Sequence, residues 1–205
     1  MKKVILIPDS FKGTMSSSEI CDIMRRVILS HFPEAEVLSV PVADGGEGSV
    51  DSFLQAMGGE RVTLRVQGPY GEDVEAFYGR VPGDVAIIEM AAAAGLPMVG
   101  DNKHAEKTTT YGVGQLMAHA LENGCTKMVV GLGGSATNDG GCGAAAALGA
   151  VFRDADGKAF VPVGETLENI ASIDLSGMPE RLREIPIVTM CDIDNPLCGP
   201  LGAAH

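Results

Sequence analysis

The opening of the chain alternates short apolar runs, turns rich in Gly and acids, and helical stretches, and this order constrains the fold more than any other feature. Lys3-Val4-Ile5-Leu6-Ile7 is a continuous run, as expected of a strand covered on both faces, and it stops at Pro8-Asp9-Ser10. Ser16-x-x-Glu19 is a capping box, after which Ile20, Ile23, Met24, Val27 and Ile28 recur at helical spacing. The spacing predicts a helix over 16–30 whose apolar stripe lies on the sheet. Val37-Leu38-Ser39-Val40 reads as a second strand, and Ala43-Asp44-Gly45-Gly46-Glu47-Gly48 leads into a helix carrying Val50, Phe53 and Leu54. The β-loop-α-β-loop-α order predicts a parallel α/β sheet.

After Gly58-Gly59 the rhythm changes. Arg61-Val62-Thr63-Leu64-Arg65-Val66 alternates with period two, Gly68-Pro69-Tyr70-Gly71 turns the chain, and strands are predicted at 74–81 and 85–90. This antiparallel meander breaks the βα order and suggests an inserted second unit. A helix at 111–123, a strand at Lys127–Leu132, a Gly-rich loop at 133–143, a helix at 141–149 and a hairpin turning at Asp154-Ala155-Asp156-Gly157 follow. That turn lacks the later bidentate Glu of a calcium loop and reads as a plain turn. Ile185–Met190 is a last apolar strand, running into Cys191-Asp192-Ile193-Asp194-Asn195-Pro196.

Composition narrows the function classes. The 205 residues carry a net charge of −12 with no basic run, which excludes a phosphate-backbone footprint and makes nucleic acid an unexpected partner. The five cysteines are scattered without a C-x-x-C pair, as reduced thiols of a cytoplasmic protein would be. The apolar run before Pro8 is too short for a signal-peptide core, and the Ala/Gly-rich stretches are too interrupted to span a membrane.

Four loops share one pattern, each following a strand and rich in Gly and short polar residues. They are Asp9-Ser10-Phe11-Lys12-Gly13, Asp44–Gly48, Gly131–Gly141 and Asp192–Asn195. Ligands of open α/β sheets bind beyond the carboxyl ends of strands, so Asp9, Lys12, Asp44 and Asp192 are expected along one rim of one parallel sheet. The third loop matches neither the P-loop nor the dinucleotide fingerprint; it is either a tight packing turn or a cradle of backbone N–H groups for anionic oxygens. Lys12 is the only cation in the four loops and the natural partner of a phosphate or carboxylate. Asp9, Asp44, Glu47, Asp192 and Asp194 are oxygen ligands suited to Mg²⁺ or to base duty, and each is also a common turn or cap residue. Thr108-Thr109-Thr110 reads as a capped helix start or as a hydroxyl-lined ligand wall. The run Glu89–Leu96 reads as small-residue packing.

Taken together, the motifs Asp9-Ser10-Phe11-Lys12-Gly13, Val42-Ala43-Asp44-Gly45-Gly46-Glu47-Gly48, Ile88-Glu89-Met90-Ala91-Ala92-Ala93, Gly131-x-Gly133-Gly134-Ser135-Ala136-Thr137-x-Asp139-Gly140-Gly141 and Cys191-Asp192-x-Asp194-Asn195-Pro196-Leu197 resemble the bacterial type I glycerate kinases. The resemblance runs from residue 4 to the last motifs. It implies transfer of the ATP γ-phosphoryl to D-glycerate, with Mg²⁺, by a flavodoxin-like α/β domain carrying an inserted second α/β domain. Residues 1–58 and 185–205 would then form the first domain, incomplete here, and 59–184 the insertion. The resemblance implies catalytic roles for Lys12, Asp44 and Asp192, and substrate or phosphate contacts for Asp9, Ser10, Gly45, Gly46, Glu47, Gly133, Gly134, Ser135, Asn138, Asp139 and Asn195. Asp44, Glu47 and Asp192 are the candidate metal ligands. Gln115 and Ser49 stand where similar sequences carry Glu and Thr, and such sequences continue well past residue 205. Oligomeric state stays open, a homo-oligomer included.

Two rivals remain. A dinucleotide-dependent oxidoreductase would need a complete Gly-x-Gly-x-x-Gly, which neither loop supplies. A ligand-binding fragment without turnover would carry the same loops and lack the groups that complete the site.

Overall fold

The computed structural model describes residues 3–11, 14–194, 196, 199–200 and 202. The predicted opening forms as β1 (Lys3–Leu6), α1 (Ser17–His31), β2 (Glu36–Ser39) and α2 (Ser49–Met57). The capping box is present: Glu19 N donates to Ser16 Oγ at 3.2 Å and Ser16 N to Glu19 Oε2 at 2.8 Å. β1 and β2 pair in parallel, Val4 opposite Val37, and among the described residues only with each other. That two-stranded sheet is too narrow to cover α1, so Ile20 is buried while Ile23, Met24 and Val27 of the expected stripe lie exposed. Ile5, Ile7 and Leu38 are exposed with them.

The main body is a five-stranded sheet in the order β10-β6-β5-β4-β3. β3 (Glu60–Gln67), β4 (Asp73–Val81) and β5 (Val85–Glu89) make the expected antiparallel meander, and β6 (Lys127–Gly131) joins β5 in parallel. β10 (Ile187–Met190) also joins this sheet, parallel to β6, with Val188 opposite Val129. The reading that grouped this strand with β1 and β2 is corrected: the outer edge of β6 takes it, through Met128 N to Pro186 O at 3.0 Å and Leu132 N to Met190 O at 3.1 Å. Asp9 and Asp44 therefore follow strands of one sheet and Asp192 a strand of another.

Period two sorts the sheet's side chains. Ala76, Tyr78, Ala86 and Ile88 pack under α3 (Ala91–Ala94) and α5 (Tyr111–Glu122), with Val113, Leu116 and Ala120. Phe77, Val81 and Ile87 face the other way, onto Val50, Phe53 and Leu54 of α2. α2 rests where Gly79 leaves room; a Cβ there would come within 3.1 Å of Val50 Cγ1. β5 is thus covered on both faces, as its unbroken apolar run requires. Besides three short 3-10 helices, the other elements among the described residues are α4 (Leu96–Val99), α6 (Cys142–Ala147) and a small sheet of β7 (Val151–Arg153), β8 (Ala159–Phe160) and β9 (Ser172–Asp174). The plain turn stands between β7 and β8, closed by Gly157 N to Asp154 O at 3.0 Å. Cys21, Cys125, Cys142 and Cys191 are free thiols, and among the described residues no helix is long and apolar enough to cross a membrane.

Candidate active site

Three parallel strands, β5, β6 and β10, end side by side: Glu89 is opposite Gly131, and Gly131 opposite Met190. The loops leaving this rim interlock backbone to backbone. Gly133 N donates to Gly45 O at 3.1 Å, and a Cβ on Gly133 would lie 2.8 Å from Gly46 Cα. Gly45, at φ +97°, leaves the same small clearance beneath the Met190 carbonyl. The Gly residues of these two loops therefore serve close packing first, bringing Asp44–Gly48 against Gly131–Gly134 and the end of β10.

Beside this junction a cleft of about 780 Å³ opens between residues 10–11, 14–19 and 41–48 on one side and the α2 face of the five-stranded sheet on the other. Of the residues singled out in the sequence, Ser10, Asp44, Gly46, Glu47 and Gly134 line it. Asp44 Oδ1 accepts Gly46 N at 3.0 Å, which shapes the turn, and Glu47 is exposed. Gly45 is buried behind them. Asp9 is exposed and accepts Ser10 N at 2.7 Å. Asp192 is exposed, two residues past β10, and does not line the cleft. Ser135 Oγ is engaged with Thr137 Oγ1 at 2.7 Å, and Asn138 is half-buried. Lys12 and Asn195 lie outside the described residues. A second hollow of about 320 Å³, by Gln67, Tyr70, Lys107 and Tyr111, contains no residue of the four loops.

Three expectations change. Asp139 is 1% exposed, and its carboxylate is spent inside the protein. Oδ2 accepts Thr110 N at 2.8 Å, Thr110 Oγ1 at 2.8 Å and Gly143 N at 3.0 Å, while Oδ1 accepts Gly141 N at 2.9 Å. The N–H groups at the start of α6, expected to receive an anion, are thus held by the chain's own acid. Thr108 and Thr110 are latches rather than a ligand wall: Thr108 Oγ1 donates to Ala136 O at 2.8 Å, and both side chains are buried. Among the described residues no three of His, Cys, Asp and Glu come together as a metal site, and of the expected Mg²⁺ ligands Asp44 and Glu47 line the cleft while Asp192 does not. Gln115, in place of Glu, points its Oε1 at Gln67 N, 2.7 Å away on β3, and serves packing there.

Two residues of the cleft wall were missed. Glu89 ends β5 and is 2% exposed, with Oε1 accepting Val50 N at 2.6 Å. Burial pushes its carboxyl above the ordinary Glu range; the Val50 and Gly48 N–H groups work against that shift, Asp51 adds to it and Arg61 opposes it. Its signal was an acid at the carboxyl end of an apolar run, the pattern that drew attention to Asp9 and Asp44. Arg61, on β3, places its guanidinium 4.0 Å over the Phe77 ring and pairs with Asp51. Sequence showed it only as a polar position of an alternating strand.

Residues 4–205 match the sequence signature of the Glycerate kinase family. The chain belongs to this family. It is 46% identical over 203 residues to a glycerate kinase of Bacillus subtilis (strain 168), covering 98% of this chain and 53% of that protein. It is 43% identical over 206 residues to the glycerate 2-kinase of Escherichia coli (strain K12), covering 99% and 54%. The crystal structure of a protein assigned as glycerate kinase 2 from Salmonella typhimurium LT2 superposes with a TM-score of 0.85 at 44% identity, covering 98% of this chain and 55% of that one. The mixed α/β fold with parallel and antiparallel strands is thus shared, and the chain spans about half the length of the curated relatives it matches.

Proposed function

We propose that the cleft beside Asp44–Gly48 is where this family's phosphoryl transfer takes place, from ATP to D-glycerate, giving phosphoglycerate. One observation carries the reading: two of the loops that form the family resemblance, Asp44–Gly48 and Gly131–Gly134, interlock beside the cleft of about 780 Å³ that both help to line. Phosphoryl transfer asks a protein to position two anions and orient one hydroxyl, with little covalent chemistry of its own. Asp44, turned into the cleft by its bond to Gly46 N, is placed to orient and deprotonate the attacking hydroxyl. Glu47 stands on the same turn, and Ser10 offers a hydroxyl from the same side of the cleft. Lys12, carried in the first loop, supplies charge for the glycerate carboxylate or the transferring phosphoryl. Bound together with the nucleotide phosphates, Mg²⁺ would neutralise their charge, and Asp44 and Glu47 are the loop carboxylates at the cleft that would help to hold it. The reaction belongs in the cytoplasm, where ATP and reduced thiols coexist.

The exposed apolar residues Ile5, Ile7, Ile23, Met24 and Val27 favour a second reading, in which these 205 residues bind ligand without turnover. ADP release, followed with and without D-glycerate and Mg²⁺, separates the two. It is measured on the chain itself and on a chimera joining residues 1–205 to the remaining part of the Bacillus subtilis relative. D-Glycerate-dependent ADP release by the chimera supports the kinase reading, and its absence there defeats it. Robust turnover by the 205 residues alone removes the second reading.

A further inference from the structure

Helix α2 begins at the cleft without a cap of its own. Its N-cap is Gly48, at φ +91°, which has no side chain to accept from the N–H groups of the first turn. Helix starts leave four N–H groups without intrahelical partners. One of these, Val50 N, is taken by Glu89 Oε1 at 2.6 Å, a residue 39 positions away in sequence. Glu89 sits at the end of β5, the strand packed on both faces, with Gly131 beside it. The bond therefore ties the first turn of α2 to a strand that is packed on both faces. The Asp44–Gly48 loop runs directly into that turn. Its other anchors are Gly45 O to Gly133 N, and Ser49 Oγ to Gly46 O at 2.8 Å. A buried acid is a costly cap, but Gly48, at φ +91°, is in a conformation that a local Ser, Thr or Asp cap could not adopt without strain.

We propose that Glu89 is a positioning residue: by capping α2 from across the sheet it fixes the Asp44–Gly48 loop, and with it Asp44 and Glu47, at the cleft. The consequence for turnover rests on the kinase reading, but the consequence for the loop does not. The test therefore has two arms. In the first, amide hydrogen exchange of the 205-residue chain is compared for wild type, Glu89→Ala, Glu89→Asp and Glu89→Gln, with α5 amides as the internal reference for global stability. Glu89→Ala and Glu89→Asp speed exchange at Ser49–Ser52 by about tenfold relative to α5, because one removes the acceptor and the other withdraws it by a methylene. Glu89→Gln keeps an acceptor oxygen at the same reach and restores protection.

In the second arm the chimera's kinetics are read. Glu89→Ala and Glu89→Asp lower kcat by about 10²-fold, the cost of roughly 1 Å of misplacement, with KM for ATP little changed, and Glu89→Gln recovers most of the rate. Unchanged exchange at Ser49–Ser52 in Glu89→Ala overturns the proposal. So does a Glu89→Gln variant as slow as Glu89→Ala, which would make the carboxylate itself a chemical participant. If the wild-type chimera shows no D-glycerate-dependent turnover, the kinase reading fails while the exchange arm still decides the role of Glu89.

Discussion

Asp139 allows the sharpest separation of a structural acid from a ligand-binding one. Replacing it with Ala orphans the N–H groups of Thr110, Gly141 and Gly143, of which Thr110 and Gly143 are buried and Gly141 is reached by water. Three buried donors, Thr110 N, Thr110 Oγ1 and Gly143 N, lose their acceptor at about 1–3 kcal/mol each, so Asp139→Ala should lose about 3–9 kcal/mol. Taken at about 4 kcal/mol, the loss corresponds to a fall in Tm of about 8–16 °C for a chain of this size. Asp139→Asn keeps one acceptor oxygen. With that oxygen in the place of Oδ2 the bonds from Thr110 N, Thr110 Oγ1 and Gly143 N survive, the amide nitrogen faces the wetter Gly141 side, and the loss shrinks to about 1–2 kcal/mol. Urea and thermal unfolding of the three proteins give the order wild type, Asn, Ala. Were Asp139→Ala within about 0.5 kcal/mol of wild type, the range of ordinary surface changes, the interior role of this acid would be refuted.

Gly133→Ala should destabilise the chain by about 1–3 kcal/mol, because its Cβ meets the Gly46 backbone rather than a yielding side chain; urea unfolding checks this, and a neutral result means the loops do not interlock. The Glu89 carboxyl is raised above its ordinary 4.5, chiefly by burial, so the folded chain keeps that proton longer than the unfolded one. Its contribution is complete below the unfolded value and is lost as pH rises through the folded value, so wild type should lose stability relative to Glu89→Gln over that interval in unfolding series from about pH 4 to 8. A difference independent of pH would contradict the shift. In the chimera, Lys12→Ala should lower kcat/KM by about 10²–10³, the cost of removing one preorganised stabiliser of developing charge. An unchanged rate would make Lys12 a surface residue.

What the sequence showed was what its neighbours decide. The Ser16–Glu19 box, the helical spacing of α1 and the period-two strands of the meander are set within a few residues, and each formed at its expected place. Partner choice between distant segments was not legible. Ile187–Met190 has the same apolar character as β1, and only the open edge of β6 decides which sheet receives it. Asp139 and Asp44 look alike as acids in Gly-rich loops. One is drawn inward by Thr110, 29 residues away, and the other is left at the cleft by Gly46, two residues on. Glu89 was hidden for the same reason, since its partner at Val50 belongs to another element. The α1 stripe was read correctly as apolar, but its burial depends on a sheet wider than β1 and β2 provide among the described residues.

The central claim is that the cleft beside Asp44–Gly48 holds the reacting groups, and a ligand footprint tests it most directly. Hydrogen exchange of the chimera is measured with and without D-glycerate and MgADP together. Protection should appear at Gly45–Val50 and Gly133–Ala136, while Gln67–Gly71 beside the smaller hollow stays unchanged. Saturating ligand that protects Gln67–Gly71 and leaves both loops as they were would contradict the account.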